Sequence, residues 1–264
     1  MITFGDYLVP QTVEEAYEVL ISKKSARLIG GGCFLRMGNR RIGLAIDLSQ
    51  AGLEFINDIG NEIEIGAMES LRDFETSDIL KENFGSIIED SVKNIIGVQL
   101  RNIATIGGTV YSKYGFSDPI IALLALNADV VLHKAGRISL EDYLKEEKMR
   151  KDILEKIIIK KDIHCGAFQT IRNSAIDYAI LSVATTKKDN KYRIVVGARP
   201  GRAKMAYEAM DYMGKMDITE ETAKIAGEIA ANEIQFGTNN RGSGEYRKEL
   251  CKVLVKRSIL EVLK

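Results

Sequence analysis

The sequence is poor in the residue types that most often hold metal ions or act as catalytic nucleophiles and bases. Its 264 residues include three cysteines, Cys33, Cys165 and Cys251, and two histidines, His133 and His164. An iron–sulfur cluster takes more cysteine ligands than this chain has. Two histidines also provide few ligands for a metal site and few candidates for a catalytic triad. We therefore expect no metal site and no catalytic side chain, so any redox chemistry must come from an organic cofactor.

Other features that the sequence lacks argue against secreted, nucleic-acid-binding and membrane-spanning proteins. Three widely spaced cysteines make no disulfide framework, which favours a reducing cytoplasm. Lys plus Arg equals Asp plus Glu, at 37 each, so no large basic surface for nucleic acid is expected. No apolar run approaches the length of a membrane span, and the first residues do not resemble a signal peptide. These features are typical of a globular protein long enough for two domains.

The order of predicted elements changes near the middle of the chain. Before about residue 150, short strands alternate with helices, and a capping box at Thr12 predicts the start of the first helix. Beyond residue 152 four strands precede three helices, predicted over 154–160, 166–172, 178–186, 192–198, 203–213, 219–234 and 246–263. This order is typical of an α+β domain with helices on one sheet face. The charged segment 148–153 is the predicted domain boundary.

Two small glycine patches are the most informative motifs. Gly30–Gly32, the first glycine turn, follows a predicted strand, and Gly107–Gly108, the second glycine turn, lies further along the chain; neither has an acidic neighbour. The first is not a dinucleotide fingerprint or a Walker A loop, and alone it fits a tight turn as well as a phosphate site. Two such turns together suggest one diphosphate held from two sides.

The surrounding residues carry a family resemblance. The relevant stretches are Gly30–Leu35, Ile46–Ser49, and Gln99–Thr109 followed by Asp118 and Ala122–Leu126. They resemble the signatures of the FAD-binding (medium) subunit of the molybdenum hydroxylases, the xanthine dehydrogenase and carbon monoxide dehydrogenase group. The second signature matches without a gap. The C-terminal half resembles the same family, so the likeness covers nearly the whole chain.

The resemblance implies an α+β architecture and a set of cofactor contacts. Residues 1–150 would form a PCMH-type FAD-binding domain of two subdomains, and 151–264 a smaller α+β domain with an antiparallel sheet and helices. FAD would place its diphosphate on both glycine turns. The implied cofactor-binding residues are Leu28, Ile29, Gly30, Gly31, Gly32, Cys33 and Phe34 from the first side, and Thr105, Gly107, Gly108 and Thr109 from the second.

Asp118 is the implied acceptor for a ribose or ribityl hydroxyl, because an ionised carboxylate accepts and a sugar donates. The alternative reading is a helix N-cap before Pro119. Further along, Arg172 and Asp177 flank a strand start and form a candidate ion pair; the alternative for Arg172 is a position near the flavin. His133 and His164 are read as surface or edge residues.

Several positions depart from the family pattern. Cys33 replaces the usual Thr, Phe34 the usual Asp or Asn, and Thr109 the usual Asn, while Glu69 lies in a departing Gly66–Ser70 segment. A thiol is a poorer donor than a hydroxyl, but backbone N–H groups do not depend on side chains, so FAD binding is still expected. Cys33 is read as a small residue packed under the cofactor rather than a redox thiol.

The function that the resemblance implies is electron transfer within a larger complex. The chain would pass electrons from the iron–sulfur clusters of a partner chain to NAD or another acceptor, beside a chain that holds the molybdenum cofactor. The altered residues Cys33 and Phe34 motivate an alternative, a flavin-less scaffold or assembly subunit of such a complex. A stand-alone FAD oxidase is a third reading, which the absence of an obvious side-chain base disfavours.

Overall fold

The computed structural model describes residues 2–147, 150–163 and 165–262, which form two compact units. Unit one comprises the residues up to Phe74 together with Gly97–Ser112 and Ala128–Ile159. Unit two comprises Glu75–Ile96, Lys113–Asn127 and the residues from Lys160 onward. Both units are discontinuous in sequence, and the boundary at 148–153 stays a prediction.

Most of the predicted helices and strands are present in the predicted order, and the structure adds several short elements. The strands are β1 (Thr3–Leu8), β2 (Ala26–Ile29), β3 (Arg41–Asp47), β4 (Ile56–Asp58), β5 (Glu62–Gly66), β6 (Asp129–Leu132), β7 (Gly136–Ser139), β8 (Leu154–Lys160), β9 (Cys165–Arg172), β10 (Ala179–Lys188), β11 (Lys191–Gly197) and β12 (Lys204–Met205). The helices are α1 (Val13–Ser22), α2 (Leu71–Thr76), α3 (Asp78–Phe84), α4 (Ile87–Val92), α5 (Val98–Arg101), α6 (Ile106–Tyr111), α7 (Asp118–Ala125), α8 (Leu140–Lys145), α9 (Tyr207–Met213), α10 (Glu220–Glu233) and α11 (Gly244–Glu261). The predicted helical segment 71–94 is three short helices, and the predicted helix 203–213 begins with strand β12. The elements β1, β4, β7, α5 and α6 were not predicted, and Leu263 lies outside the described residues.

Unit one contains a parallel three-stranded sheet in the order β1-β3-β2. Helix α1 begins as predicted, because the Thr12 side chain accepts a hydrogen bond from the N–H of Glu15. The Glu15 carboxylate accepts from the N–H of Gln11 rather than from Thr12 itself. Ala16 and Leu20 of α1 pack with Ile46 of β3 in one apolar cluster, which holds the helix against the sheet.

Unit one also contains a five-stranded sheet in the order β4-β5-β8-β6-β7. Strand β4 pairs with β5, and β6 pairs with both β7 and β8, all antiparallel. Ile63, Ile65, Val130 and Ile157 are fully buried, so this sheet supplies a second apolar core within the unit.

Unit two is built on an antiparallel sheet in the order β12-β11-β10-β9. Every residue from Ala179 to Thr186 in β10 is buried, which requires cover on both faces. Leu181 and Val183 pack in the apolar cluster formed with α9, α10 and α11. On the opposite face, α7 packs on β10 and β11. Helices therefore cover both faces rather than the one expected, because α7 comes from an earlier part of the chain.

Within the described residues, no helix combines the length and the apolar character needed to cross a membrane.

Candidate functional site

The two glycine turns meet in unit one. A Cβ added at Gly108 would lie 3.0 Å from the carbonyl oxygen of Gly30 and 2.9 Å from Oγ1 of Thr105. A Cβ added at Gly30 would lie 2.9 Å from the same Thr105 oxygen. A methyl group at Gly108 would press on the Gly30 carbonyl and on Thr105, and one at Gly30 would press on Thr105, so the close packing favours glycine at both positions.

The first turn also needs glycine for its conformation. Gly31 and Gly32 both have φ of +68°, the left-handed region that side chains disfavour. A Cβ at Gly31 would lie 1.9 Å from the carbonyl oxygen of Ile103, which no side-chain adjustment can relieve. The turn is therefore held against the segment that precedes α6.

The N–H groups of the two turns have different partners. Within the described residues, those of Gly31, Gly32 and Cys33 donate to no other residue. By contrast, Gly107 donates to the carbonyl oxygen of Ala67 at 2.9 Å, and Gly108 donates to Thr105 Oγ1 at 3.1 Å. The donors open to an anion therefore belong to the first turn, while the second turn forms the wall against which it packs. Gly107, Gly108 and Thr109 all lie in the first turn of α6 rather than in a loop, and the N–H of Thr109 donates to the Thr105 carbonyl oxygen at 3.3 Å.

A cavity of about 540 Å³ opens beside the first glycine turn, within unit one. Gly31, Gly32 and Thr105 line it together with Ile29, Tyr7 and Asp47 at the ends of β2, β1 and β3. Its volume is within the range of small-molecule sites, about 300–1,000 Å³. Open N–H donors beside a cavity of this size fit a phosphorylated ligand such as a dinucleotide.

The predicted residues around the first turn have distinct positions. Ile29 lines the cavity, whereas Leu28 packs against the apolar cluster beneath α1. Cys33 is half-buried, and this burial raises the pKa of its thiol, which disfavours the reactive thiolate. Phe34 is 42% exposed. The contacts predicted between these residues and FAD stay predictions.

Asp118 lies in unit two, at the first residue of α7, with Ser117 as the N-cap. Its carboxylate accepts from Ser182 Oγ at 2.7 Å and from the Arg172 guanidinium. The N-cap alternative is therefore wrong, and the predicted contact with a sugar hydroxyl stays a prediction. Arg172 pairs with Asp118 rather than with the side chain of Asp177, whose partner is Arg241 at 3.1 Å.

The Arg172 side chain is 7% exposed, and its Nε is buried without a hydrogen-bond partner in the described residues. Its other two nitrogens donate to Asp118 and to the carbonyl oxygen of Asp177. Arg172 and Asp118 therefore form a buried ion pair in which most of the polar side-chain atoms already have hydrogen-bond partners.

Sequence reasoning missed Asp47 beside the first turn and the burial of Glu69. Asp47 ends β3 and lines the cavity; its place beside the glycine turn follows once β2 and β3 are known to pair in parallel. Glu69 is 7% exposed, and burial, with help from the negative charges of Asp73 and Glu54, raises its pKa to about 7. No sequence signal indicated that a glutamate at this position would be buried.

His133 is not a simple surface residue. Its Nδ1 lies 2.6 Å from Glu155, its Nε2 lies 2.8 Å from Glu14, and its side chain is 14% exposed. The contacts tie α1 to the five-stranded sheet within unit one. His164 lies outside the described residues.

Comparison of the sequence with the profiles of known families shows which family the chain belongs to. Residues 2–161 match the profile of the family described as the FAD binding domain in molybdopterin dehydrogenase. The chain belongs to this family. Residues 166–262 match a second profile, the CO dehydrogenase flavoprotein C-terminal domain. The family named from the sequence motifs is thereby confirmed, and the chain is an FAD-binding oxidoreductase subunit of the molybdenum hydroxylase type.

Individual relatives match over nearly their full length. The nicotine 6-hydroxylase medium subunit of Paenarthrobacter nicotinovorans is 24% identical over 97% of this chain and 96% of its own. The glyceraldehyde dehydrogenase medium chain of Sulfolobus acidocaldarius is 25% identical over 97% of each chain. A solved structure of carbon monoxide dehydrogenase from Hydrogenophaga pseudoflava, lacking the Mo-pyranopterin moiety of its molybdenum cofactor, superposes with a TM-score of 0.89 at 22% identity, covering 98% of this chain and 96% of its own. That likeness supports the α+β fold class.

FAD is the cofactor of this flavoprotein family, and the residues present fit it. The first glycine turn offers open N–H donors, and the cavity beside it has room for part of a dinucleotide. Across the described part of the chain, no group of three or more His, Cys, Asp or Glu side chains could hold a metal ion.

Proposed function

We propose that this chain is the electron-transfer subunit of a multi-chain dehydrogenase, taking electrons from iron–sulfur clusters of a partner chain and delivering them to NAD or another acceptor. Bound FAD supplies the redox chemistry, since a flavin exchanges electrons with both clusters and nicotinamides. The protein's share is to bind the dinucleotide and hold it in place. The observation that carries the proposal is the contact between the two glycine turns, with open N–H donors on the first.

The partners follow from what this chain lacks and from the names of its relatives. With three cysteines in all, it cannot supply the ligands of an iron–sulfur cluster alone. Two relatives are named as a medium subunit and a medium chain, and the similar solved structure is of an enzyme with a molybdenum cofactor. We place an iron–sulfur chain and a molybdenum-cofactor chain beside this one. We place the complex in the cytoplasm, where the three free cysteines, Cys33, Cys165 and Cys251, stay reduced.

The identity of the electron acceptor is tested with the flavin-loaded chain under anaerobic conditions. If NAD is the acceptor, NADH must reduce the bound flavin in the reverse direction, and its visible absorption band must bleach. NADPH and a soluble quinol serve as parallel donors. Bleaching by NADH supports NAD as the acceptor. Bleaching by the quinol and not by NADH assigns a quinone-type acceptor instead.

A second candidate, a flavin-less scaffold or assembly subunit, rests on the departures at Cys33 and Phe34. It predicts a colourless protein whose melting temperature does not change when FAD is added, yet which co-purifies with partner chains. A yellow preparation, or an FAD-dependent rise in melting temperature, excludes this candidate.

A further inference from the structure

Three strand ends meet at one edge of the parallel sheet in unit one. Strands β1, β3 and β2 run in the same direction, so their carboxyl ends share an edge. Ile29, the last residue of β2, pairs in register with Asp47, the last residue of β3. The first glycine turn therefore begins one strand spacing, about 4.8 Å, from the position of Asp47.

The Asp47 carboxylate is held in a fixed orientation. Its Oδ2 accepts a hydrogen bond from the hydroxyl of Tyr7, near the end of β1, and its Oδ1 accepts from the N–H of Ser49 at 2.9 Å. Each carboxylate oxygen has a second lone pair, so Asp47 keeps capacity to accept further bonds. The bond to Asp47 raises the pKa of Tyr7 to about 12, so Tyr7 remains a donor at neutral pH.

Asp47 faces the same cavity as the first glycine turn. Gly31, Gly32, Tyr7 and Asp47 all line it. In open sheets that bind dinucleotides, the diphosphate lies on a glycine turn after one strand, and an acidic residue at the end of a neighbouring strand takes the ribose hydroxyls. The strand order here brings the same two features together, although the sequence has no dinucleotide fingerprint.

We propose that Asp47, positioned by Tyr7, accepts hydrogen bonds from the ribose hydroxyls of the adenosine half of FAD. The inference rests on FAD binding at the first glycine turn. It identifies Asp47 as a residue that distinguishes a ribonucleotide from its deoxy counterpart, and Tyr7 as a positioning residue.

Asp73 provides a matched control. It lines the same cavity but belongs to α2 rather than to a strand end, and its carboxylate accepts from the adjacent Ser70 hydroxyl. Asp73→Asn therefore removes a charge from the cavity wall without removing the proposed sugar acceptor.

The experiment measures competition with FAD for the flavin-free full-length chain. The competitors are ADP, a dideoxy analogue of ADP that lacks both ribose hydroxyls, and FMN. Wild type is expected to bind ADP at least about tenfold more tightly than the dideoxy analogue, the effect of a charge-assisted hydrogen bond. In Asp47→Asn this preference is expected to fall to about twofold or less, with FAD affinity lowered about tenfold. Asp73→Asn is expected to keep the wild-type preference.

Three results would overturn the inference. One is a wild type that binds ADP and its dideoxy analogue equally, a comparison that needs no variant. Another is an Asp47→Asn protein that keeps the full preference for ADP. The third is a loss of FMN affinity with ADP affinity unchanged, which would assign Asp47 to the ribityl chain.

Tyr7→Phe tests the positioning role, since it keeps the ring and the Asp47 charge. It is expected to reduce the ADP preference by about threefold, and an unchanged preference would remove Tyr7 from the proposal. If wild type bound neither FAD nor ADP, the cofactor assignment itself would fail, a result distinct from the failure of the Asp47 contact.

Discussion

The carbonyl oxygen of Gly30 lies 3.0 Å from the position that a side chain at Gly108 would occupy. Thr105 Oγ1 lies 2.9 Å from the same position, and it caps α6 by accepting from the Gly108 N–H. One turn thus packs directly on the other, and the N–H donors of Gly31 and Gly32 remain open toward the neighbouring cavity. This contact is the basis for placing the FAD diphosphate in unit one.

The first prediction separates backbone strain from close packing. Gly31 and Gly52 have nearly the same φ, +68° and +72°, but a Cβ at Gly52 meets nothing within 4 Å. Gly52→Ala should lower the free energy of unfolding by about 1–2 kcal/mol, the cost of a left-handed residue. Gly31→Ala should cost clearly more, because its Cβ would overlap the Ile103 carbonyl oxygen. Urea unfolding of both variants checks this, and equal losses would contradict the close approach.

The second prediction concerns the buried ion pair in unit two. Asp118→Asn should lower the free energy of unfolding by about 3–5 kcal/mol, because it leaves the Arg172 charge buried and unpaired. Asp177→Asn is the control, since its pair with Arg241 is about one-third exposed and should contribute little to stability. Chemical denaturation of the two variants gives the comparison. Similar losses for both would mean that Asp118 is accessible to solvent.

The third prediction is a pH dependence caused by Glu69. Its pKa is raised to about 7 in the folded chain by burial, so the folded state binds a proton more tightly than the unfolded state does. Stability from this group is fully present below its usual pKa of about 4.3 and is lost as pH rises through 7. Glu69→Gln should therefore stabilise the protein by about 1–3 kcal/mol at pH near 8.5 and give no such gain near pH 4.

Unfolding midpoints of wild type and Glu69→Gln at the two pH values test this dependence. Glu18→Gln is the control, since Glu18 is an exposed residue of α1 and should produce little change at either pH. A gain for Glu69→Gln that is the same at both pH values would exclude titration of Glu69 as its cause.

The fourth prediction concerns the half-buried thiol in the first glycine turn. Cys33→Thr restores a hydroxyl donor next to the proposed diphosphate, so FAD should bind about two- to tenfold more tightly, the effect of one net hydrogen bond. Cys33→Ala keeps the backbone donors but adds none, and should bind FAD about as wild type does. Fluorescence titration with FAD provides both constants. Equal affinities for the Thr and Ala variants would show that this side chain points away from the phosphates.

Local motifs made much of the site predictable. Gly30–Gly32 and Gln99–Thr109 identified the family from short-range patterns, and the structure brings their glycines into contact. Strand β1 was missed because five of its six residues are exposed, so the pattern of buried and exposed positions that marks a strand is absent.

Long-range pairing made the remaining features unpredictable. Arg172 pairs with Asp118, 54 positions away, rather than with the nearby Asp177, because α7 packs on β10. The position of Asp47 beside the glycine turn depends on the pairing of β2 with β3, and the burial of Glu69 depends on tertiary packing. None of these leaves a periodic signal in the sequence.

The most direct test of the central claim is equilibrium FAD binding to the flavin-free chain, with Gly108→Ala compared against Gly52→Ala. If the two glycine turns jointly form the diphosphate site, a methyl group at Gly108 separates them and lowers FAD affinity at least about tenfold, while Gly52→Ala binds FAD as wild type does. Wild-type affinity in Gly108→Ala, or a wild-type chain that takes up no FAD, would contradict the account.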